Sequence, residues 1–111
     1  DAARVLKKLG DSRATDALME GLQASNWIVR RHAAEALGKI GDPQCLDALI
    51  QALNDEDWLV RRNAAESLAR FKDGRAIDPL VPLLEDENEM VRDTAEGALA
   101  SLGWTPGSPN S

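Results

Sequence analysis

The sequence has no apolar run approaching the roughly 20 residues that a membrane-spanning helix needs, and no basic start followed by an apolar stretch of the secretory kind. No membrane segment is expected. Its one cysteine, Cys45, has no internal partner for a disulfide, which is compatible with a reducing, cytoplasmic setting. Positive charge is also in short supply. A net charge of −6 and a pI near 4.7 argue against nonspecific binding to nucleic acid, whose affinity comes mainly from neutralised phosphates. Aromatic residues amount to 4% of the chain, while 43% hydrophobic and 29% charged residues suit one soluble domain with its own core.

What the chain does have is repetition. The segment at 10–40 recurs at 41–71 and again at 72–102, an interval of 31 residues, and residues 1–9 match the closing part of a copy. Residues 103–111 form a short tail. Each copy carries two helical signals. In the middle copy Leu46, Leu49, Ile50 and Leu53 share one face, and Val60, Ala64, Leu68 and Phe71 share another. Asp42 before Pro43 is an N-cap followed by proline at the first helical position, and Asn26, Asp57 and Asn88 stand as caps ahead of each second helix. Gly10, Gly41 and Gly103 sit where a helix must end in a left-handed residue. A helix pair of this kind cannot bury its apolar face alone, so the pairs must stack. The expected fold is all-α, an α-solenoid of antiparallel helix pairs. The third copy departs from the pattern: Lys72 replaces glycine, and Pro79 and Pro82 predict a first helix that is kinked or begins near Pro79.

The Gly-Asp at 10 and 41, the Val-Arg at 29, 60 and 91, and the Ala-Ala-Glu-(Ala/Ser)-Leu run at 33 and 64 carry a resemblance. The chain up to about Gly103 resembles the short HEAT-like repeats of phycobilisome bilin lyases and of many prokaryotic scaffold proteins. The resemblance implies that the second helices line a concave surface. Taking about 100° per residue, the side of those helices opposite the core carries Trp27, Trp58 and Glu89, then Arg31, Arg62 and Asp93, then Ala34, Ala65 and Glu96, then Gly38, Ala69 and Ala100, with Glu66 beside them. From the opening half-copy Arg4 and Lys7 join this face. Tryptophan beside arginine and small residues is the composition of binding hot spots. Equally, Trp27 can stack on Arg31, and Trp58 on Arg62, as local cation–π pairs.

Other candidates resolve into structure. Arg30, Arg61 and Arg92 recur one turn after a cap, and Asp57 with Arg61 makes a favourable pair four residues apart, which points to bracing. Asp55-Glu56-Asp57 and Glu85-Asp86-Glu87 lack the glycine and distal glutamate of a calcium loop, and read as solvated loops at helix N-termini. His32 has no second histidine and precedes Ala33, unlike the His-Glu metal pairs of the HEAT-like deoxyhypusine hydroxylases. Cys45 aligns with Ala14 and Ala76, a packing position. No nucleophile–base grouping or phosphate loop is present, and no metal or cofactor is implied.

The expected function is therefore a non-enzymatic, protein-binding scaffold segment. Its partner surface comprises Trp27, Arg31, Trp58, Arg62, Glu66, Glu89, Asp93 and Glu96; the alternative is a subunit or fragment of a bilin lyase-like protein. Residues 72–111 hold three basic and eight acidic residues, so the surface should turn from basic and aromatic to acidic along the stack. The partner expected is a protein or peptide, acidic where it meets the first two copies. Because Ala2, Ala3, Leu6 and Leu9 match Ala33, Ala34, Leu37 and Ile40 with no first helix before them, a fragment of a longer array is expected, able to self-associate through its open N-terminal end. Trp104 is expected to pack back on the last helix.

Overall fold

A computed structural model describes residues 13–106. The expectations for Ala2, Ala3, Arg4, Leu6, Lys7, Leu9 and Gly10, and the tail from 107 onward, lie outside the described residues. Helix α1 covers residues 13–21. It is followed by α2 (Trp27–Ile40), α3 (Leu46–Ala52), α4 (Trp58–Phe71), α5 (Ile77–Leu80) and α6 (Glu89–Ser101). Short 3₁₀ turns at Pro43–Cys45 and Gly74–Ala76 lead into α3 and α5, and Val81–Glu85 continues α5 as a 3₁₀ helix.

Each long helix starts where the sequence supplies an oxygen for its unpaired N–H groups. Asn26 accepts from the Ile28 N–H, Asp57 from Leu59 and Val60, and Asn88 from Met90 and Val91, contacts worth about 1 kcal/mol each. In the third copy the first helix is broken as the prolines require. Pro79 lies within the first turn of α5, where its missing N–H costs little, and Pro82 falls where α-helix gives way to 3₁₀.

The helices form two layers. α2, α4 and α6 lie side by side, α3 packs on α4, and α5 with its 3₁₀ continuation packs on α6. Between the layers Leu37, Leu49, Val60, Leu68, Leu80, Val91 and Leu99 are fully buried. The radius of gyration, 14.5 Å, exceeds the ~13 Å of a compact chain of this length. That is the elongation of an α-solenoid.

Stacking also widens the buried arc of the central helix. α4, flanked on both sides, buries Arg61, Asn63, Ala65 and Ser67 as well as its core stripe. Ala34 and Ala65, placed by the sequence on an open groove floor, are fully buried. The reason is steric: their small size admits the neighbouring helix. Gly38 shows the same constraint, since a Cβ added there would overlap Ser67 of α4.

Helix ends follow the glycine pattern with one exception. Gly41 has φ 72°, its N–H bonded to the Leu37 carbonyl. After α6, the Gly103 N–H donates to Ala100 and the Trp104 N–H to Leu99, the paired bonds of a Schellman ending. Trp104 is thereby turned inward and is 9% exposed within the core. Lys72 takes the same left-handed conformation, φ 54°, with a side chain present, and its Nζ reaches the Ser101 hydroxyl at 2.8 Å. A left-handed residue with a Cβ costs about 1–2 kcal/mol, of which glycine's larger chain entropy returns about 0.5–1. Lys72→Gly is therefore expected to stabilise the fold by about 0.5–1 kcal/mol in urea unfolding. A net loss would show that the exposed Lys72–Ser101 contact outweighs the backbone strain.

Candidate functional site

The recurring arginines form a ladder along one edge of the stack. Arg30 grips the Asp55 carboxylate through Nε at 2.9 Å and Nη2 at 3.3 Å, and its Nη1 donates to the Ala24 and Ser25 carbonyls at 2.7 and 2.9 Å. Arg61 repeats the arrangement one pair later. It holds Asp86 at 2.8 and 3.1 Å and the Asp55 and Glu56 carbonyls at 2.8 and 3.1 Å. Arg92 continues it with Nη1 on the Asp86 carbonyl at 2.7 Å. The bracing role holds, but the partner differs from the one expected. Asp57 spends its carboxylate on the cap of α4, and Arg61 pairs instead with an aspartate 25 residues on.

The acidic clusters divide accordingly. Glu56 and Glu87 are solvated, whereas Asp55 and Asp86 have side chains only 12% and 10% exposed and also accept from the Asp57 and Asn88 N–H groups. Burial opposes ionisation of Asp86. Hydrogen bonds from Arg61 and the Asn88 N–H, with the charges of Arg61 and Arg92, outweigh it and hold the carboxyl below its usual range.

With that edge committed to structure, the opposite surface of the second helices is the candidate. At about 100° per residue, the centre of α4's open arc is Glu66, with Leu59, Arg62 and Arg70 within about 40° of it. Asn63 and Ser67 turn toward α2, where they donate to the Arg31 and Ala34 carbonyls at 3.2 and 2.6 Å. The matching arcs carry Ile28, Arg31, Glu35 and Lys39 on α2, and Met90, Asp93, Gly97 and Ser101 on α6. Trp27 and Trp58 stand to one side, at the seams between helices. Ile28 and Met90 are each 47% exposed and Trp27 42%. The sequence pattern concealed this aliphatic row of Ile28, Leu59 and Met90, which a finer helical projection recovers.

The expected site residues take different positions. Arg31 stacks over Trp27, its guanidinium carbon 5.1 Å from the ring centroid. Trp58 is half-buried against the core, and Arg62 pairs with Glu66 at 3.7 Å rather than stacking on its ring. Glu66, Glu89, Asp93 and Glu96 are all exposed. Between α4 and α6 lies a cleft of about 410 Å³ lined by Glu66, Ala69, Arg70, Thr94, Gly97 and Ala98. Cys45 is fully buried, and burial with the nearby Asp42 charge pushes its thiol up to about 11, which suits packing rather than nucleophilic chemistry. Among the described residues no cluster of His, Cys, Asp or Glu could hold a metal ion, and no helix is long and apolar enough to cross a membrane.

The depressed Asp86 carboxyl makes stability pH-dependent with a definite sign. Its stabilisation is fully present above the ordinary carboxylate range and is lost as pH falls through the lowered folded-state value. Asp86→Asn should flatten the acid limb of a stability–pH curve. Arg61→Ala, which strands a buried carboxylate, should cost about 3 kcal/mol in denaturant unfolding. Arg92→Ala, which loses a bond to a carbonyl, should cost about 1 kcal/mol.

Comparison with known proteins agrees with this geometry. Among curated proteins none matches the chain. In the solved complex of CpcE and CpcF of phycocyanin lyase from Nostoc sp. PCC7120, a chain 33% identical aligns over 79% of this one with a TM-score of 0.74. The present chain spans 36% of that chain's length. The sequence model of HEAT repeats matches residues 1–51 and 46–110, nearly the whole length. The chain belongs to the HEAT-repeat family.

Proposed function

We propose that this chain is a protein-binding module that grips its partner with the open face of α2, α4 and α6. The observation that supports it most is the exposure of Trp27, Ile28 and Met90 on helices that pack side by side. Large apolar side chains in solvent, grouped and bordered by charge, mark contact surfaces. The charge beside them is graded: Arg31 and Arg62 border the first two helices, and Glu89, Asp93 and Glu96 the third. Such a gradient orients a partner and sets its encounter rate more than its final affinity. No catalytic role is proposed: the hydroxyl–amine contact at the edge of this face, Ser101 with Lys72, is solvent-exposed, and its ammonium donates to both the serine hydroxyl and the serine carbonyl.

A second reading follows from the solved complex of CpcE and CpcF of phycocyanin lyase. In that reading the chain is a portion of a bilin lyase-like subunit, and the same face meets a companion subunit or a tetrapyrrole. Titrating the protein with free bilin separates the two: an absorbance shift favours the lyase-like reading, and a flat titration favours the protein-binding one.

For a protein that co-purifies with the chain and binds it in pure form, affinity should respond to this face alone. Trp27→Ala and Trp58→Ala should each weaken binding by about 2 kcal/mol, with melting curves confirming that the half-buried Trp58 site still folds. Arg62→Glu should slow association and alter its salt dependence. Asp47→Ala, on the outer layer, should change nothing. Negligible and equal losses at all four positions would place the binding surface elsewhere.

A further inference from the structure

We infer that the segment this face receives is an amphipathic helix laid across α2, α4 and α6, its aliphatic stripe on Ile28, Leu59 and Met90 and one of its side chains seated in the cleft between α4 and α6. This rests on the open face of the second helices being the binding surface, and names what lies on it.

Spacing is the first argument. Packed helices lie about 8–10 Å apart, so the three aliphatic residues recur at that interval. A strand returns to the same face after about 7 Å, or about 14 Å two steps on, and fits neither. A helix returns to the same face every seven residues, after about 10.5 Å. A polyproline helix returns after about 9 Å, but it is too narrow. Leu59 and Glu66, at the cleft, are seven residues and so about 10 Å apart along α4. An α-helix with its side chains is about 10–12 Å wide and covers both the aliphatic row and the cleft.

The cleft is the second argument, because it exists where the repeat has been altered. Between α2 and α4 the same interval is closed by the Asn63 bond to Arg31, the Ser67 bond to Ala34 and the close approach at Gly38. Thr94 and Ala98 occupy the corresponding places on α6, and neither stitching bond forms there. Gly97 stands where α2 and α4 carry Glu35 and Glu66, and a Cβ added to it meets nothing within 4 Å. What results is a socket with an alanine floor, Ala69 and Ala98, and a polar mouth at Glu66, Arg70 and Thr94. Charge fixes the direction of the guest. Its acidic end lies over Arg31 and Arg62, and its basic end over Glu89 and Asp93.

The test is selection from a displayed library of random segments of about 20 residues, long enough for a helix to cross all three second helices, against the whole chain. The expected winners carry apolar residues at helical and heptad intervals, acids toward one end and bases toward the other, and gain helical circular dichroism when bound. Gly97→Gln then separates binding from folding. It fills the mouth of the socket, yet it replaces a helical glycine at an open position and should leave the melting temperature unchanged or raise it. Affinity of the winners should fall at least tenfold. Winners that are extended or proline-rich, or that ignore Gly97→Gln while losing affinity to Arg62→Glu, would overturn the helix and leave the face as the binding surface. Winners indifferent to both substitutions, or no winners at all, would overturn the inference together with the reading on which it rests.

Discussion

The solenoid depends on a guanidinium that reaches across each junction. Core leucines favour association of the helices but are non-directional, and they would tolerate neighbouring pairs that slide or tilt. Arg30 and Arg61 remove that freedom. Each fastens its own preceding loop through carbonyls and the following loop through a carboxylate held by two bonds. The same carboxylates organise the turn into the next helix by accepting the Asp57 and Asn88 N–H groups. One side chain thus sets both the spacing of the pairs and the start of the helix that follows. Because the charges are nearly buried, such a contact contributes chiefly when every donor and acceptor is used. Both arginines meet that condition closely.

Periodicity made the fold legible. The 31-residue interval, the caps and the apolar stripes each fixed a local feature, and together they implied stacking without any long-range contact being visible. The partners of the arginines were harder to see. A pairing four residues apart within α4 was the nearest option, whereas Asp86 becomes the neighbour of Arg61 only once two helix pairs are stacked. The information was present in the recurrence of an aspartate two residues ahead of a cap at 55 and 86, paired in step with Arg30 and Arg61. Ala34 and Ala65 misled for a related reason. Small residues opposite the core can indicate an open groove or a close helix contact, and the choice depends on the lateral neighbour.

The open face was only half legible, since its charged residues stood out while its aliphatic row did not. Ile28, Leu59 and Met90 follow directly after the conspicuous Trp27, Trp58 and Glu89, and a helical projection blurred by one position merges the two rows. Within the structure they separate by about 100°. The tryptophans sit in seams, where Trp58 contributes to packing, whereas Ile28 and Met90 face outward with the half-buried Leu59 between them. Repeated positions supply the scaffold, and the positions where copies differ give this surface its character. Asn63 against Thr94, and Ser67 against Ala98, decide whether adjacent helices close or leave a cleft.

The lateral flank of α6 follows the same logic. Ala34 and Ala65 are buried because α4 and α6 lie against them, but Glu96 occupies the equivalent place on α6 and is exposed. A helix pair packed on α6 as α4 packs on α2 would bury that carboxylate. Burying it would call for a cation or several hydrogen-bond donors placed against it. Arg92, still anchored to the Asp86 carbonyl, makes no direct ion pair among the described residues, so the ladder's acid–base link is open at this level. A neighbour with donors or a basic group opposite Glu96 and an acidic group opposite Arg92 therefore suits this flank best. The substitutions that make the third copy acidic thus give the open face its charge gradient and also restrict what can pack beside it.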